Sequence, residues 1–199
     1  MSVPLTTLGL ELPTDPRWVN IAEMQLEEIL IDHAYCEQKA ASACISMIVH
    51  FPEKEKLVEV MTPVVAEEWA HFRMVLKELQ KRGYKLGRAR KDEYVNRLQE
   101  IVKKKGDRDE VFLDRLLLCA LIEARSCERF KLLSQHIADE SLKKFYHELM
   151  ISEAGHYRNF IELAEEYLPA EKVRQRWKEL LAAEAEIMKT LEVRGDRMH

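Results

Sequence analysis

"EWAHFR" (residues 68–73) and "EAGHYR" (residues 153–158) are one short statement made twice, 85 residues apart. Each sets a carboxylate three positions before an imidazole, with an aromatic and an arginine close behind. On an α-helix, residues i and i+3 lie about 60° apart around the axis and about 4.5 Å apart along it. Glu68 with His71, and Glu153 with His156, therefore each point at one spot. A lone Glu-x-x-His is weak, because a chain with seven His and this much Glu holds about one by chance. Two copies with shared flanks ask for a common cause.

Outward from these stretches the chain reads as long helices. Gly and Pro number only six each, which favours uninterrupted helix. A first helix is expected from Asp15 as N-cap, with Pro16 in its first turn, to about His50 before Pro52. A second covers about 53–82 up to Gly83, and Pro63 is expected either to kink it or to restart it with Thr62 as cap. Residues 83–108 form a connection containing a short amphipathic helix, "DEYVNRLQEIVKKK". Long helices follow at about 109–138 and 140–167, then one at about 171–193. No alternating strand pattern competes, so the fold class is all-α, with one domain whose core spans about 16–167.

Four of these helices share a rhythm of threes and fours. The stripe Leu26, Leu30, His33, Glu37, Ala40, Cys44, Met47 is matched by Leu57, Met61, Val64, Glu68, His71, Val75 on the second helix. Leu113, Leu116, Ala120, Glu123, Cys127, Phe130, Ser134 and Leu142, Phe145, Leu149, Glu153, His156, Phe160, Leu163 complete the set. Such stripes face the inside of a helical bundle. Each is apolar except near its middle, where it carries glutamate.

Depth explains the anomaly. Glu37 lies 15 residues before Pro52 and Glu68 lies 16 after it; Glu123 lies 16 before Asp139 and Glu153 lies 14 after it. Each pair is thus level on antiparallel helices. Four buried carboxylates without cations are prohibitive, since desolvation and repulsion both oppose ionisation. Two divalent ions balance four carboxylates and two neutral imidazoles. One Glu from each of two helices, with Glu-x-x-His from each of the other two, is the donor set of di-iron carboxylate bundles; mixed O/N ligation suits iron or manganese better than a closed zinc site. Glu123 is preferred to Glu128, which sits off the stripe. Glu27 and Glu28 lie at the wrong level. His33, one turn from Glu37, reads as a neighbour of the ligands or a core histidine. His50, His136, His147 and His199 have no Glu three residues before them and are expected on the surface.

The stretches "DHAYCEQKAAS", "EEWAHFR", "LIEARSCERF" and "SEAGHYRNF" resemble the tRNA 2-methylthio-N6-isopentenyladenosine hydroxylases, the MiaE family, with likeness from about residue 14 to the last helix. The resemblance implies a ferritin-like four-helix bundle with additional short and C-terminal helices, holding a non-haem di-iron centre. It places the ligands on Glu37, Glu68, His71, Glu123, Glu153 and His156, with Glu68 and Glu153 as bridges. The implied reaction is hydroxylation of the isopentenyl group on adenosine 37 of tRNA, with two iron ions, O₂ as co-substrate, and an electron carrier or reductase as donor. Ala34, Ala40, Ala41, Ala120 and Ala124 leave room for O₂ and a prenyl tail, or serve close helix packing; the sequence keeps both readings open.

Charge distribution suggests where tRNA docks. Residues 81–108 hold eleven Lys or Arg against four Asp or Glu, a local +7 that leaves −11 for the rest of the chain. Lysine and arginine bind phosphates without regard to base sequence. Arg88, Arg90, Lys91, Lys103, Lys104 and Lys105 are the candidate contacts, with Tyr84 and Tyr94 as stacking surfaces; a solvated linker is the alternative. No apolar run approaches the roughly 18 residues of a membrane span. The first 16 residues lack the basic-then-apolar pattern of a secretory signal. Cys36, Cys44, Cys119 and Cys127 show no Cys-x-x-Cys spacing, so reduced thiols, a cytoplasmic location and a monomer or small oligomer are expected. Three rival functions remain: an iron-storage or ferroxidase subunit, a rubrerythrin-like peroxidase (without its Cys-x-x-Cys module), and a metal-free interaction bundle.

Overall fold

The reading of long helices punctuated by Pro, Gly and Asp caps is met in the structure, a computed structural model describing residues 7–199. The absence of a signal pattern in residues 1–6 lies outside the described residues. These form seven α-helices and no strand: α1 (Arg17–Met24), α2 (Leu26–His50), α3 (Glu55–Lys81), α4 (Glu93–Ile101), α5 (Arg108–His136), α6 (Glu140–Tyr167) and α7 (Ala170–Thr190). None is long and apolar enough to cross a membrane. No disulfide joins any of the four cysteines.

The chain divides into two compact units, one of residues 18–91 and 194–198, the other of residues up to Arg17, 92–193 and 199. In the first, α2 and α3 form an antiparallel hairpin about the turn at Phe51 and Pro52. The inward stripe of α3 is Leu57, Met61, Val64, Glu68, His71, Val75 and Leu79. Its five apolar members are each at most 1% exposed, and burying one such side chain stabilises by about 1.5–3 kcal/mol. That gain offsets the cost of holding Glu68 and His71 in the same row.

Two expectations need correcting here. The first long helix is two, because Gln25 leaves the helical region (φ −122, ψ 39). The break sacrifices little hydrogen bonding, since Gln25 N–H still donates to the Ala22 carbonyl and its own carbonyl accepts from Ile29. Of the two readings of Pro63, the restart is overturned, since α3 runs through it. The Glu59 carbonyl loses its usual donor there, and the Thr62 hydroxyl donates to the Val58 carbonyl at 2.6 Å. Beyond Lys81 the helix stops at Gly83, whose φ of 76 suits only glycine comfortably.

In the second unit, aspartates set the helix starts. Asp92 accepts from Val95 N–H, Asp107 from Glu110 N–H, and Asp139 from the N–H groups of Ser141 and Leu142; such caps satisfy amides that have no partner inside the helix. α5 and α6 pack as the second hairpin, and α4 and α7 lie against it. Sixteen of the 29 residues of α5 are buried, so it is enclosed on every face and not along one stripe. Its second buried face carries charge. Arg125, fully buried, donates to Glu184 of α7 at 2.6 Å, to Glu128, and to the Leu12 carbonyl at 3.0 Å. Thr14 donates to Glu128 through its N–H and its hydroxyl, and Tyr94 donates to Glu184 at 3.1 Å.

His199 corrects another expectation. Its imidazole is only 2% exposed, lies 2.8 Å from the Ser126 hydroxyl, and stacks on Tyr94 with ring centroids 5.3 Å apart. Residues 194–198 are likewise held. Met198 N–H donates to the buried Asp32 carboxylate at 2.8 Å, and a Cβ on Gly195 would collide with the Ile21 backbone.

Candidate metal centre

The α2–α3 hairpin brings Glu37, Glu68 and His71 together, each offering one ligand atom within 4.8 Å of the others. They are 4%, 1% and 7% exposed. Glu37 comes from α2; Glu68 and His71, one helical turn apart, come from α3. His71 Nδ1 lies 3.5 Å from Glu37 Oε2 and 3.8 Å from Glu68 Oε2. His33, fully buried one turn before Glu37, places its Nε2 2.6 Å from Glu37 Oε1. It is a hydrogen-bonded core histidine that orients that carboxylate, and both readings the sequence left open for it stand.

The α5–α6 hairpin repeats the arrangement. Glu123, Glu153 and His156 offer ligand atoms within 4.8 Å of one another, and are 5%, 1% and 1% exposed. His156 Nδ1 lies 3.1 Å from Glu153 Oε2. Cys127, one turn from Glu123, donates to the Met150 carbonyl at 3.5 Å. Burial, then the nearby Glu153 charge, push its thiol up to about 11, so it stands protonated at neutral pH. Glu128 is taken up by Thr14 and Arg125, whereas Glu123 is the α5 residue that joins the candidate group.

Each hairpin thus presents two carboxylates and one imidazole at one buried spot. Carboxylate oxygen with imidazole nitrogen, and no thiolate, is a donor set for iron or manganese. The residues fit a metal; nothing in such a triad resembles a nucleophile with its activating base.

The expected tRNA contacts are less uniform. Arg88, Lys91, Lys103, Lys104 and Lys105 are exposed. Lys103 also pairs with Glu110 at 2.6 Å. Arg90 is held internally: it donates to the Glu28 carboxylate, to the Glu28 carbonyl at 2.7 Å and to the Asp196 carbonyl at 3.0 Å. Tyr94 is corrected outright. It is 1% exposed and offers no face to a base. A cleft of about 230 Å³ opens between the end of α4, α5 and α7, where Lys103, Lys172 and Arg176 meet Glu110, Asp114 and Glu179; its charges are matched and none of the six candidate ligands lines it.

Comparison with known proteins agrees with this chemistry. A family model described as tRNA-(MS[2]IO[6]A)-hydroxylase (MiaE) matches residues 2–199. The tRNA 2-(methylsulfanyl)-N(6)-isopentenyladenosine(37) hydroxylase of Pseudomonas putida is 35% identical over 188 residues, covering 94% of this chain and 90% of that one. The Salmonella typhimurium protein of the same description is 31% identical over 137 residues, 69% of this chain. There the match spans about half of the relative, 49% of its length. Among solved structures, a Synechococcus protein described as having aldehyde deformylating oxygenase activity superposes with a TM-score of 0.90 at 36% identity, covering 96% of this chain and 94% of that one. The fold is therefore all-α and ferritin-like in class.

Proposed function

The chain belongs to the tRNA-(MS[2]IO[6]A)-hydroxylase (MiaE) family, and we propose that it is an O₂-dependent di-iron monooxygenase that hydroxylates the isopentenyl group of 2-methylthio-N6-isopentenyladenosine at position 37 of tRNA. The observation that carries the reading is the pair of buried Glu/Glu-x-x-His triads, one per hairpin, in a chain 35% identical to a hydroxylase so described over nearly its full length.

In this reading the chain is a single domain, and each triad would hold one of two iron ions. Glu37, Glu68 and His71 would hold one ion, and Glu123, Glu153 and His156 the other. Four carboxylates offset the charge of two Fe(II) ions, which is what makes their burial tolerable. When bound, the iron pair activates O₂ for insertion into an allylic C–H bond. The balance is R–H, O₂, two electrons and two protons giving R–OH and water, so a reductase or electron carrier must supply the electrons. The protein's own contribution is orientation and dryness. His33 fixes the Glu37 carboxylate, and Leu30, Ala34, Ala41, Ala120 and Ala124, all buried, keep the surroundings apolar. Exposed Arg88, Lys91 and Lys103–Lys105 supply attraction for the tRNA backbone. A cytoplasmic monomer or small oligomer suits a tRNA substrate.

A second reading, deformylation of an aldehyde, rests on the description of the Synechococcus neighbour. The donor set serves both, whereas an exposed basic surface serves only a polyanion. Mass spectrometry of tRNA nucleosides from cells with and without this gene decides. The hydroxylated nucleoside should vanish with the gene and return with the wild-type chain but not with His156→Ala. Unchanged tRNA, with aldehyde consumed by the purified iron-loaded protein, would overturn the tRNA reading.

A further inference from the structure

We propose that the outward face of α3 around Trp69, continued by the basic stretch after Lys81, is an RNA-docking strip: an unpaired base stacks on Trp69 and the phosphate backbone runs along the cations that follow. The inference rests on the tRNA reading and deepens it, because it names where the anticodon arm is held.

The placement follows from the helix turn. Glu68 and His71 point inward, so Trp69 and Ala70, about 100° and 200° round from Glu68, point out. Trp69 is 49% exposed, and its ring sits 4.9 Å from that of Phe72. Ala66 and Ala70 beside it are exposed and small, which leaves the indole as a raised flat platform. Arg73, Lys77 and Lys81 then recur every four residues, all exposed, at intervals of about 6 Å along the helix. Beyond the Gly83 turn, Lys85 and Arg88 extend the row, again exposed. Glu67, two residues from Trp69, is turned nearly to the opposite side.

The second hairpin shows that this openness is specific to α3. At the matching positions of "EAGHYR", Ala154 replaces Trp69 and Tyr157 replaces Phe72. There α7 lies alongside, and Trp177 packs on Tyr157 with ring centroids 5.8 Å apart. Ala154 and Gly155 are accordingly half-buried while Trp69 and Ala70 are exposed. The copy with a covering helix has no large exposed aromatic; the copy without one presents indole and cations.

RNA fits this face better than a protein does. Unpaired bases are taken up on aromatic side chains with cations tracking the backbone. A stable protein partner needs about 800 Å² of surface per side with an apolar centre, and here one indole, one half-buried phenyl ring and small alanines are the apolar content. The remainder is a row of like charges, which suits a polyanion.

The test uses the full iron-loaded chain and a synthetic anticodon stem-loop carrying the prenylated adenosine, with binding measured across a salt series. Trp69→Ala should weaken binding at least about fivefold, the lower end of a lost base–aromatic stack, while Trp69→Phe keeps most of it. Arg73→Gln with Lys77→Gln should flatten the slope of log K against log[salt] by about 1.4, two phosphate contacts on a single strand. Iron content and melting temperature should stay at wild-type values, because these side chains are exposed. Wild-type affinity and slope in all three variants would overturn the strip while leaving the tRNA reading intact. Failure of the wild-type chain to bind the stem-loop would remove that reading and the strip together. Unchanged RNA binding with turnover lost only when a protein reductant replaces a chemical one would assign the face to an electron carrier, and a Trp69→Ala shift from dimer to monomer would assign it to a second copy; either result overturns the proposal.

Discussion

The α2–α3 and α5–α6 hairpins carry the same ligand arithmetic in different surroundings. Both bury a Glu opposite a Glu-x-x-His, at 31 and 30 residues' separation within the hairpin. Yet 7 of the 27 residues of α3 are buried against 16 of the 29 of α5. α3 has one apolar stripe and an open back. α5 has a stripe on one side and, on the other, a buried ionic cluster anchored by Arg125. What the hairpins share therefore reports on chemistry, and where they differ reports on packing and partners. A sequence repeat alone does not separate the two.

The sharpest way to break the shared half is to remove ligands one hairpin at a time. Glu68→Ala and His156→Ala should each abolish hydroxylation and lower iron from two per chain, with helix content by circular dichroism unchanged. Full activity in one variant and none in the other would mean that the two triads are not equivalent in the reaction. Metal removal probes the same point without mutation. Stripping iron leaves carboxylates facing one another without cations, so the melting temperature should fall. Identical melting curves with and without iron would count against metal ions in the buried triads.

The ionic cluster is the next largest difference. Arg125→Ala removes the cation that Glu128 and Glu184 share, and an uncompensated buried charge costs about 3–5 kcal/mol. Lys77→Ala, on the open back of α3, should stay within about 0.5 kcal/mol of wild type. Denaturant titration of both variants measures the contrast directly. The pH dependence sharpens it. Burial raises Glu184 above its ordinary value of 4.5, more than Arg125 lowers it. A carboxyl raised in the folded state gives stability that is complete below 4.5 and lost as pH rises through the folded value. Glu184→Gln, neutral at every pH, should therefore gain on wild type as pH climbs above about 4.5; a gap constant with pH would mean that Glu184 is not raised.

These contrasts also show what could be read from the chain beforehand. Where a local signal exists, the helix bounds were legible: Asp139 caps a helix that runs Glu140–Tyr167, as expected, and Gly83 closes α3. The triads were legible because periodicity and turn positions fix which residues share a level on a hairpin. What escaped depends on contacts remote in sequence. Nothing local marks Gln25 as a break, because the residues around it are ordinary helix formers. Tyr94 and His199 look like surface residues in isolation and are buried against each other across 105 positions of chain. Arg90 sits in a basic run yet is held by Glu28 and Asp196, carboxylates that no spacing rule connects to it. Glu128 differs from Glu123 only by lying off the stripe; that signal was present, and the cluster around Arg125 supplies its reason.

The last contrast lies in α3, where the copies diverge in backbone and not in chemistry. Five residues before its ligand Glu, α3 has Pro63 while α6 has Glu148. Proline in a helix interior removes one backbone donor and crowds the preceding turn, at a cost of up to about 3 kcal/mol relative to alanine. α3 nevertheless continues through Pro63, so the apolar stripe from Leu57 to Leu79 holds the helix together despite it. Pro63→Ala should restore the amide that the Glu59 carbonyl lacks and raise the denaturation midpoint. Glu68 and His71 lie more than a turn downstream, so iron content should not change. If instead the substitution leaves stability unchanged but alters turnover, the proline sets the pitch at which α3 presents Glu68 and His71. The two hairpins would then differ within the chemistry they appear to share.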